Sequence, residues 1–195
     1  MDYLPLFFKL TDKACLIVGG GHIATRKARV LVSAGGILHV VALEVTAELK
    51  TMARSSGGSC REGHFHNDDM IGKSLVIAAS NDSALNAQIS AIARERLIPV
   101  NVIDSPELSS VILPSIIDRS PVIVAVSSGG NSPVLARMLR TKIESIIPSA
   151  YGKLAQLVGD FRERVQKRLP DVDARKKFWE EVLQGPVAEM VFTGK

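Results

Sequence analysis

A run of three glycines, Gly19 to Gly21, constrains the fold of this 195-residue chain more than any other feature of its sequence. The run directly follows the apolar segment Ala14–Val18 and opens an amphipathic segment. With Ala24 in the last position, it completes the G-x-G-x-x-A pattern of dinucleotide-binding βαβ units. We therefore expect Gly19 to form the tight turn and Gly21 to let a pyrophosphate approach the backbone.

Short β-branched segments alternate with longer amphipathic segments over the first hundred residues. This alternation is typical of βαβ units that build a parallel sheet covered by helices. We predict strands at Ala14–Val18, Ile37–Ala42, Ser74–Ala79 and Ile98–Val102, and helices at Ile23–Ala34 and Ala84–Arg96. The expected fold class is α/β, with a Rossmann-type doubly wound parallel sheet over residues 1–112.

The pattern changes after Pro106, where two apolar segments flank the turn-like tetrapeptide Asp118–Pro121 and predict an antiparallel pair. Ser132 and Pro133 are typical of the N-cap and first position of a helix, which we expect to reach about Ile147. Two further helices are predicted at Tyr151–Arg168 and Ala174–Leu183, separated by Pro170. We expect a small α+β region over residues 113–148 and a C-terminal helical region over residues 149–195.

The backbone amides of His22 and Ile23 are expected to face the phosphates of a dinucleotide, because the first amides of a helix lack intrahelical acceptors. Glu44 is the only carboxylate placed to contact an adenine ribose at the end of the second strand. No arginine follows it to receive a 2′-phosphate, which favours NAD over NADP. The alternative is that Glu44 is a solvated acid near the start of the next helix.

The residue inventory excludes two common classes of Rossmann enzyme. Tyr151 is not followed by a lysine four places on, as short-chain dehydrogenases require, and all four histidines lie within the first 66 residues. Asp104 follows the predicted strand Ile98–Val102, at the end of the sheet where such folds bind ligands, and is a candidate general base. The equally weighted alternative is a turn residue that caps its own backbone.

A metal site at His64 and His66 is conceivable, but spacing fixes no third ligand, so we expect no protein-bound metal.

Composition and charge set further expectations. The chain has 24 basic and 20 acidic residues, without the aromatic series typical of nucleic-acid binding. No apolar run approaches the roughly 20 residues of a membrane helix, and the N-terminus has no secretory signal pattern. We expect a cytoplasmic protein with neither a membrane nor a nucleic-acid partner, and we expect Leu4 to Leu10 to be part of the fold.

Three segments, Cys15–Arg29, Asn101–Glu107 and especially Leu113–Arg140, resemble the precorrin-2 dehydrogenase/sirohydrochlorin ferrochelatase module of sirohaem synthase. The resemblance extends from Met1 to at least Trp179. It implies NAD-dependent oxidation of precorrin-2 to sirohydrochlorin, followed by insertion of ferrous iron, a substrate rather than a resident metal, to give sirohaem. It also implies a homodimer, with fusion in many bacteria to a uroporphyrinogen methyltransferase domain.

The resemblance also assigns roles to individual residues. The family's dinucleotide contacts fall on His22, Ile23, Leu43 and Glu44, and its catalytic aspartate falls on Asp104. Relatives often carry an acidic residue at the position of His22, but the contact there is a backbone amide. The tetrapyrrole substrate carries eight carboxylates, for which basic and polar side chains are candidate contacts: Asn101, Arg119, Ser128, Asn131 and Arg137. The alternative function is a Rossmann module that senses NAD(H) without catalysis.

Overall fold

Five parallel strands form the sheet of the N-terminal unit in the computed structural model, which describes residues 1–194. This unit spans Met1–Leu113, and a second unit begins at Pro114. The strands of the first unit are β1 (Ala14–Val18), β2 (Ile37–Ala42), β3 (Ser59–Glu62), β4 (Leu75–Ala78) and β5 (Val100–Val102). Its helices are α1 (His22–Ser33), α2 (Ala47–Ser55) and α3 (Ser83–Glu95), with single 3-10 turns at Asn67–Met70 and Pro106–Leu108.

The strand order is β3-β2-β1-β4-β5, and every neighbouring pair is parallel. Side chains of β1 alternate between two buried clusters, so that Ile17 packs with α1 and α2 whereas Leu16 packs with α3. Both faces of the sheet are thus covered by helices, which explains the uninterrupted apolar character of its central strands. Each of these buried side chains contributes roughly 1.5–3 kcal/mol of transfer free energy. The predicted Rossmann-type doubly wound sheet is confirmed.

The second unit combines a hairpin with four helices. Strands β6 (Ser115–Arg119) and β7 (Val122–Val126) pair antiparallel, as predicted. They are followed by α4 (Pro133–Ile146), α5 (Ala150–Arg168), α6 (Val172–Gln184) and α7 (Pro186–Thr193). Ser132 caps α4 by accepting a hydrogen bond from the Leu135 amide at 3.1 Å, and Pro133 occupies the first turn. The predicted cap of this helix is confirmed.

Several elements differ from the sequence prediction. The first strand of the hairpin begins at Ser115 and so leaves out the start of the apolar segment before it, because the amides of Ser110 and Val111 instead donate to the Val100 carbonyl oxygen. Strand β3 and helix α7 were not predicted. Strand β3 is a short segment of mostly polar residues at the sheet edge, so it carries no apolar period. Helix α7 has Pro186 in its first turn, directly after Gly185, and only eight residues.

The N-terminal segment has no helix or strand before β1. Leu10 is buried in the cluster formed with α1 and α2, whereas Leu4, Leu6 and Phe7 are exposed. Of the residues from Leu4 to Leu10, only Leu10 is buried in the core.

Within residues 1–194, no helix combines the length and apolar character needed to cross a membrane.

Candidate functional site

The carboxyl edge of the sheet brings together the residues that the sequence singled out in the first unit. The glycine loop follows β1, Leu43 and Glu44 follow β2, and Asp104 lies two residues beyond β5. The strand order reverses between β1 and β4, since β2 and β3 lie on one side of β1, whereas β4 and β5 lie on the other. In open α/β sheets, such a switch point forms the crevice that binds ligands.

The three glycines of the loop differ in what a side chain at each position would contact. Gly19 has a φ of +132°, and a Cβ there would overlap the carbonyl oxygen of Ala79, so only glycine fits. At Gly20 a Cβ would overlap the carbonyl oxygen of Glu44. At Gly21, in contrast, a Cβ would meet no heavy atom within 4 Å. Gly19 and Gly20 thus serve the packing of the protein itself, whereas Gly21 borders open space.

Helix α1 begins without a capping side chain. Gly21 is its N-cap, and its first turn contains no acidic residue. His22 and Ile23 are exposed, whereas Ala24 is buried against the sheet, as its position in the glycine pattern predicts. The amides at this end lie at the positive end of the helix dipole and have no side-chain acceptor. The start of α1 therefore fits a pyrophosphate.

A threonine pair joins the glycine loop to the end of β2. The Thr25 hydroxyl donates to the Gly21 carbonyl oxygen at 3.0 Å, and its oxygen lies 3.1 Å from the Thr46 hydroxyl oxygen. The Thr46 amide in turn donates to the Gly20 carbonyl oxygen at 3.1 Å. The sequence prediction missed this link, because the two threonines become neighbours only when α1 and α2 pack side by side. It holds the loop rigid next to the residues expected to contact a ribose.

The end of β2 is acidic. Leu43 and Glu44 are both exposed. The Glu62 carboxylate accepts a hydrogen bond from the Val45 amide at 3.3 Å and pairs with Lys50 at 2.8 Å. The hydrogen bond and charge of Lys50, followed by the Val45 amide, lower the pKa of Glu62, which therefore stays ionised at neutral pH. Glu62 was missed because it belongs to the unpredicted strand β3.

Two nearby cations are already engaged. Lys50 is paired with Glu62, and the Arg29 guanidinium on α1 is paired with Glu48, with its Nη2 at 2.6 Å from the carboxylate. Glu44 itself forms no ion pair among the described residues, so no direct partner compensates its negative charge. This local charge would attract hydroxyl donors such as those of a ribose and repel a phosphate group.

Asp104 has a left-handed backbone conformation, with a φ of +56°, and an exposed side chain. Aspartate tolerates this region better than most residues, but it is uncommon outside glycine. Two hydrogen bonds close the turn around Asp104. The Ser105 amide donates to the Val102 carbonyl oxygen at 3.3 Å, and the Ser109 hydroxyl donates to the Ser105 carbonyl oxygen at 3.0 Å. Within residues 1–194, the Asp104 carboxylate accepts no hydrogen bond. Other groups therefore hold the turn, and the carboxylate points to no backbone partner of its own.

The other polar candidates fall into two groups. Asn101 is buried in β5, and its side-chain amide donates to the Val111 carbonyl oxygen at 3.0 Å. Arg119 in the second unit donates to the Ile147 carbonyl oxygen at 3.1 Å and pairs with Glu144 at 3.2 Å. Both side chains thus have partners within their own unit. Arg137 on α4 is exposed, and its guanidinium has no ion-pair partner among the described residues.

Ser128 and Asn131 shape the glycine-containing loop before α4. The Ser128 hydroxyl donates to the Ser132 carbonyl oxygen at 2.8 Å and accepts from the Ser132 amide at 3.0 Å. The Asn131 side-chain amide donates to the Ser128 carbonyl oxygen at 3.1 Å. Between them, Gly129 and Gly130 both have positive φ angles. The loop is therefore held by its own side chains, with Asn131 exposed at its end.

His64 and His66 lie in the segment after β3. Asp69 closes the short 3-10 turn that follows His66: its carboxylate accepts from the His66 amide at 2.8 Å, and its own amide donates to the His66 carbonyl oxygen at 2.9 Å. Arg61 binds the His64 carbonyl oxygen at 2.9 Å and also pairs with Asp69. Across residues 1–194, no group of three or more His, Cys, Asp or Glu residues could hold a metal ion.

Three family models match the chain in succession. Residues 6–115 match a model described as putative NAD(P)-binding, residues 120–146 match the sirohaem biosynthesis protein central region, and residues 150–195 match the sirohaem synthase dimerisation region. The first match covers more than half of the chain and coincides with the parallel sheet.

Curated relatives and a solved structure agree with these matches. The chain is 54% identical over its whole length to a sirohaem synthase of Pseudomonas entomophila and 53% identical to one of Azotobacter vinelandii. It spans 42% of the length of each. A solved structure of SirC, precorrin-2 dehydrogenase, has the same fold, with a TM-score of 0.74, 20% identity and 98% coverage of both chains.

The resemblance to sirohaem synthase that the three sequence segments indicated is confirmed. The three matched regions contain, in order, the glycine loop, strand β7 with α4, and the terminal helices. The chain belongs to the putative NAD(P)-binding family and carries, after that domain, the central and dimerisation regions of sirohaem synthases.

Proposed function

We propose that this protein oxidises precorrin-2 to sirohydrochlorin with NAD and then inserts ferrous iron to give sirohaem. The observation that carries the proposal is the exposed carboxylate of Asp104, which lies at the same sheet edge as a glycine loop with uncapped helix amides. The sirohaem synthase relatives and the matched central region supply the substrate class.

Cofactor binding and proton transfer in the oxidation are carried out by different residues. The amides of His22 and Ile23 bind the pyrophosphate, and Leu43 and Glu44 line the adenosine end. When bound, NAD supplies a hydride acceptor. Asp104 accepts the proton that leaves the macrocycle with the hydride, which makes it the general base.

Iron insertion uses the same carboxylate. Two pyrrole N–H protons must leave as ferrous iron enters the macrocycle, and a carboxylate within reach of the ring can accept them. The four nitrogen ligands of the iron belong to the substrate. The step therefore requires a proton acceptor and a fixed macrocycle, and it requires no metal cluster built from protein side chains.

The second unit supplies contacts for the substrate carboxylates, and through it the chain dimerises. The exposed guanidinium of Arg137 binds a substrate carboxylate, and the exposed amide of Asn131 is a further polar contact. Arg119, Ser128 and Asn101 act by holding the hairpin, the glycine loop and β5, as their hydrogen bonds indicate. We assign residues 113–148 to a dimerisation and substrate region, and we extend dimerisation to the helical region 149–195, because residues 150–195 match the dimerisation region of sirohaem synthases. We propose a cytoplasmic homodimer.

We predict that NAD binds more tightly than NADP. Glu44 and Glu62 give the end of β2 a negative charge, while Lys50 and Arg29 are engaged by Glu62 and Glu48. An additional phosphate would be repelled there, and we expect a difference of about tenfold or more. Calorimetry with both cofactors measures it. Glu44→Gln should narrow the difference, and equal affinities in the wild-type protein would contradict the assignment.

An absorbance assay with precorrin-2 and NAD tests the function itself. Formation of sirohydrochlorin together with NADH supports the enzyme, and addition of ferrous iron then tests the second step. The other candidate is a module that senses NAD(H) without catalysis, for which the exposed first turn of α1 is sufficient. Binding of NAD without turnover of precorrin-2 would support that sensor and contradict the enzyme.

A further inference from the structure

Thr25 is a buried polar residue in the first turn of α1, with 3% exposure. Its hydroxyl oxygen has two partners at hydrogen-bond distance, the Gly21 carbonyl oxygen at 3.0 Å and the Thr46 hydroxyl oxygen at 3.1 Å. Thr46 is the N-cap of α2, where its hydroxyl accepts from the Leu49 amide at 3.3 Å. Gly21 is the N-cap of α1. The Thr25 hydroxyl thus joins the N-terminal ends of two helices.

The chemistry of these partners fixes the direction of the hydrogen bonds. A carbonyl oxygen only accepts, so the single hydroxyl proton of Thr25 goes to Gly21. The bond between the two threonines therefore uses the hydroxyl proton of Thr46, which donates to Thr25. The opposite direction would leave the Thr25 and Gly21 oxygens 3.0 Å apart with no proton between them. The result is a directed chain from the Leu49 amide through both hydroxyls to the Gly21 carbonyl oxygen.

The same contacts fix the direction of two amides in the glycine loop. The Gly21 carbonyl oxygen also accepts from the Thr25 amide at 3.0 Å, and the Gly20 carbonyl oxygen accepts from the Thr46 amide at 3.1 Å. The peptide bonds of the loop are trans, so the N–H of each peptide points away from its C=O. The amides of Gly21 and His22 therefore point away from the threonines. Within residues 1–194, neither of these two amides donates to a protein acceptor.

We propose that Thr25 is a positioning residue for the dinucleotide: its hydroxyl, supported by Thr46, orients and polarises the Gly21–His22 peptide so that the His22 amide binds the pyrophosphate. The inference rests on the proposed function, because it requires NAD to bind at the start of α1. A carbonyl that accepts hydrogen bonds makes the N–H of the same peptide a stronger donor, and linked hydrogen bonds strengthen one another. An amide that is already held in place also loses less freedom when the cofactor binds.

The effect of the hydroxyl on this peptide can be measured without cofactor. The carbonyl ¹³C signal of Gly21 and the amide ¹⁵N signal of His22 both respond to hydrogen bonding at the peptide that the two residues share. Thr25→Val keeps the shape of the side chain and removes the hydroxyl, so it should shift both signals in the full chain. Thr25→Ser keeps the hydroxyl and should leave both near their wild-type positions. Unchanged signals in Thr25→Val would overturn the inference.

Calorimetric titration with NAD tests the consequence for the cofactor. Thr25→Val should bind NAD about tenfold more weakly, because a donor to an anion is both weaker and less ordered. Thr25→Ser should stay within about threefold of the wild type. Wild-type affinity in Thr25→Val would overturn the inference. A loss in Thr25→Ser as large as in Thr25→Val would assign the effect to packing and would overturn it as well.

Ser90 provides a control for the loss of a buried hydroxyl group. It is 2% exposed on α3, and its hydroxyl donates to the Leu108 carbonyl oxygen at 2.5 Å. Ser90→Ala therefore removes a buried hydrogen bond from the first unit without touching the glycine loop. It should destabilise the protein in denaturant unfolding, as Thr25→Val does, and keep NAD affinity within about twofold. An equal loss of NAD affinity in the two variants would show a general effect of stability and contradict the inference.

Failure of the inference and failure of the proposed function give different results. Wild-type protein that binds no NAD contradicts the proposed function, whereas the Gly21 and His22 signals still decide whether the hydroxyl chain acts on this peptide. Wild-type binding of NAD with unchanged affinity in Thr25→Val contradicts the inference alone. If Thr25→Val does not fold, Thr46→Val takes its place in both measurements, because it interrupts the same chain one step earlier. Unchanged signals and affinity in Thr46→Val would then overturn the inference.

Discussion

Asp104→Asn is expected to lower both precorrin-2 oxidation and iron insertion by about 10²–10⁴-fold, the range that a positioned general base contributes. Asparagine keeps the size of the side chain and is also tolerated in the left-handed region that Asp104 occupies, with its φ of +56°. The substitution therefore removes basicity with little effect on the turn. NAD affinity should stay unchanged, because Asp104 lies beyond β5 and not in the glycine loop.

The chain offers a matched control for this substitution. Asp12 is also exposed and also has a positive φ, of +60°, but it precedes β1 and so lies at the amino end of the sheet. Asp12→Asn should leave both rates within about twofold of the wild type. Rates are measured by absorbance with precorrin-2 and NAD for the first step, and with sirohydrochlorin and ferrous iron for the second.

The pattern of losses distinguishes the possible roles of Asp104. Loss of both activities supports one shared base, as proposed. Full rates in Asp104→Asn would make the residue part of a turn only. Loss of a single activity would mean that the two reactions use different proton acceptors, and the shared-base mechanism would be wrong.

The sequence was sufficient for the parts of the site that depend on local pattern. The position of Gly19 after an apolar segment and before an amphipathic one predicts the loop, because backbone conformation and helix start are local properties. Asp104 was identified as a candidate by its place after a predicted strand. Between catalytic and turn roles the residue pattern alone was undecided, and the family resemblance favoured the first. The structure adds that other groups close this turn.

Contacts between distant segments could not be predicted in this way. Glu62 belongs to a strand with the sequence SCRE, which has no apolar period, yet pairing with β2 brings it to the end of that strand. Gly20 occupies a variable position of the glycine pattern, and its constraint comes from a carbonyl oxygen 24 residues away.

Substitution of the loop glycines should separate the requirements of the fold from those of the cofactor. Gly21→Val is expected to weaken NAD binding by more than about 100-fold, equivalent to about 2.7 kcal/mol, because its side chain would fill the space expected for the pyrophosphate. The fold should tolerate it, since Gly21 has an ordinary φ of −86° and a Cβ would meet nothing within 4 Å. We expect a change in unfolding free energy below about 1 kcal/mol.

Gly20→Val should give the opposite result. The valine side chain would overlap the backbone of Glu44. This backbone is held in place because the Thr46 amide donates a hydrogen bond to the Gly20 carbonyl oxygen at 3.1 Å. Overpacking against a fixed backbone should lower the unfolding free energy by about 3 kcal/mol. His22→Ala is the third member of the set and should change NAD affinity by less than about threefold, since the contact expected there is a backbone amide.

Calorimetric titration with NAD and denaturant unfolding of the three variants give the comparison. If Gly21 borders the pyrophosphate, only Gly21→Val combines wild-type stability with lost binding, because it alone adds atoms where the protein has none within reach. Retention of NAD affinity by Gly21→Val would place the cofactor away from this loop. Equal losses of affinity in Gly21→Val and His22→Ala would instead assign recognition to the imidazole and contradict binding by backbone amides at the start of α1.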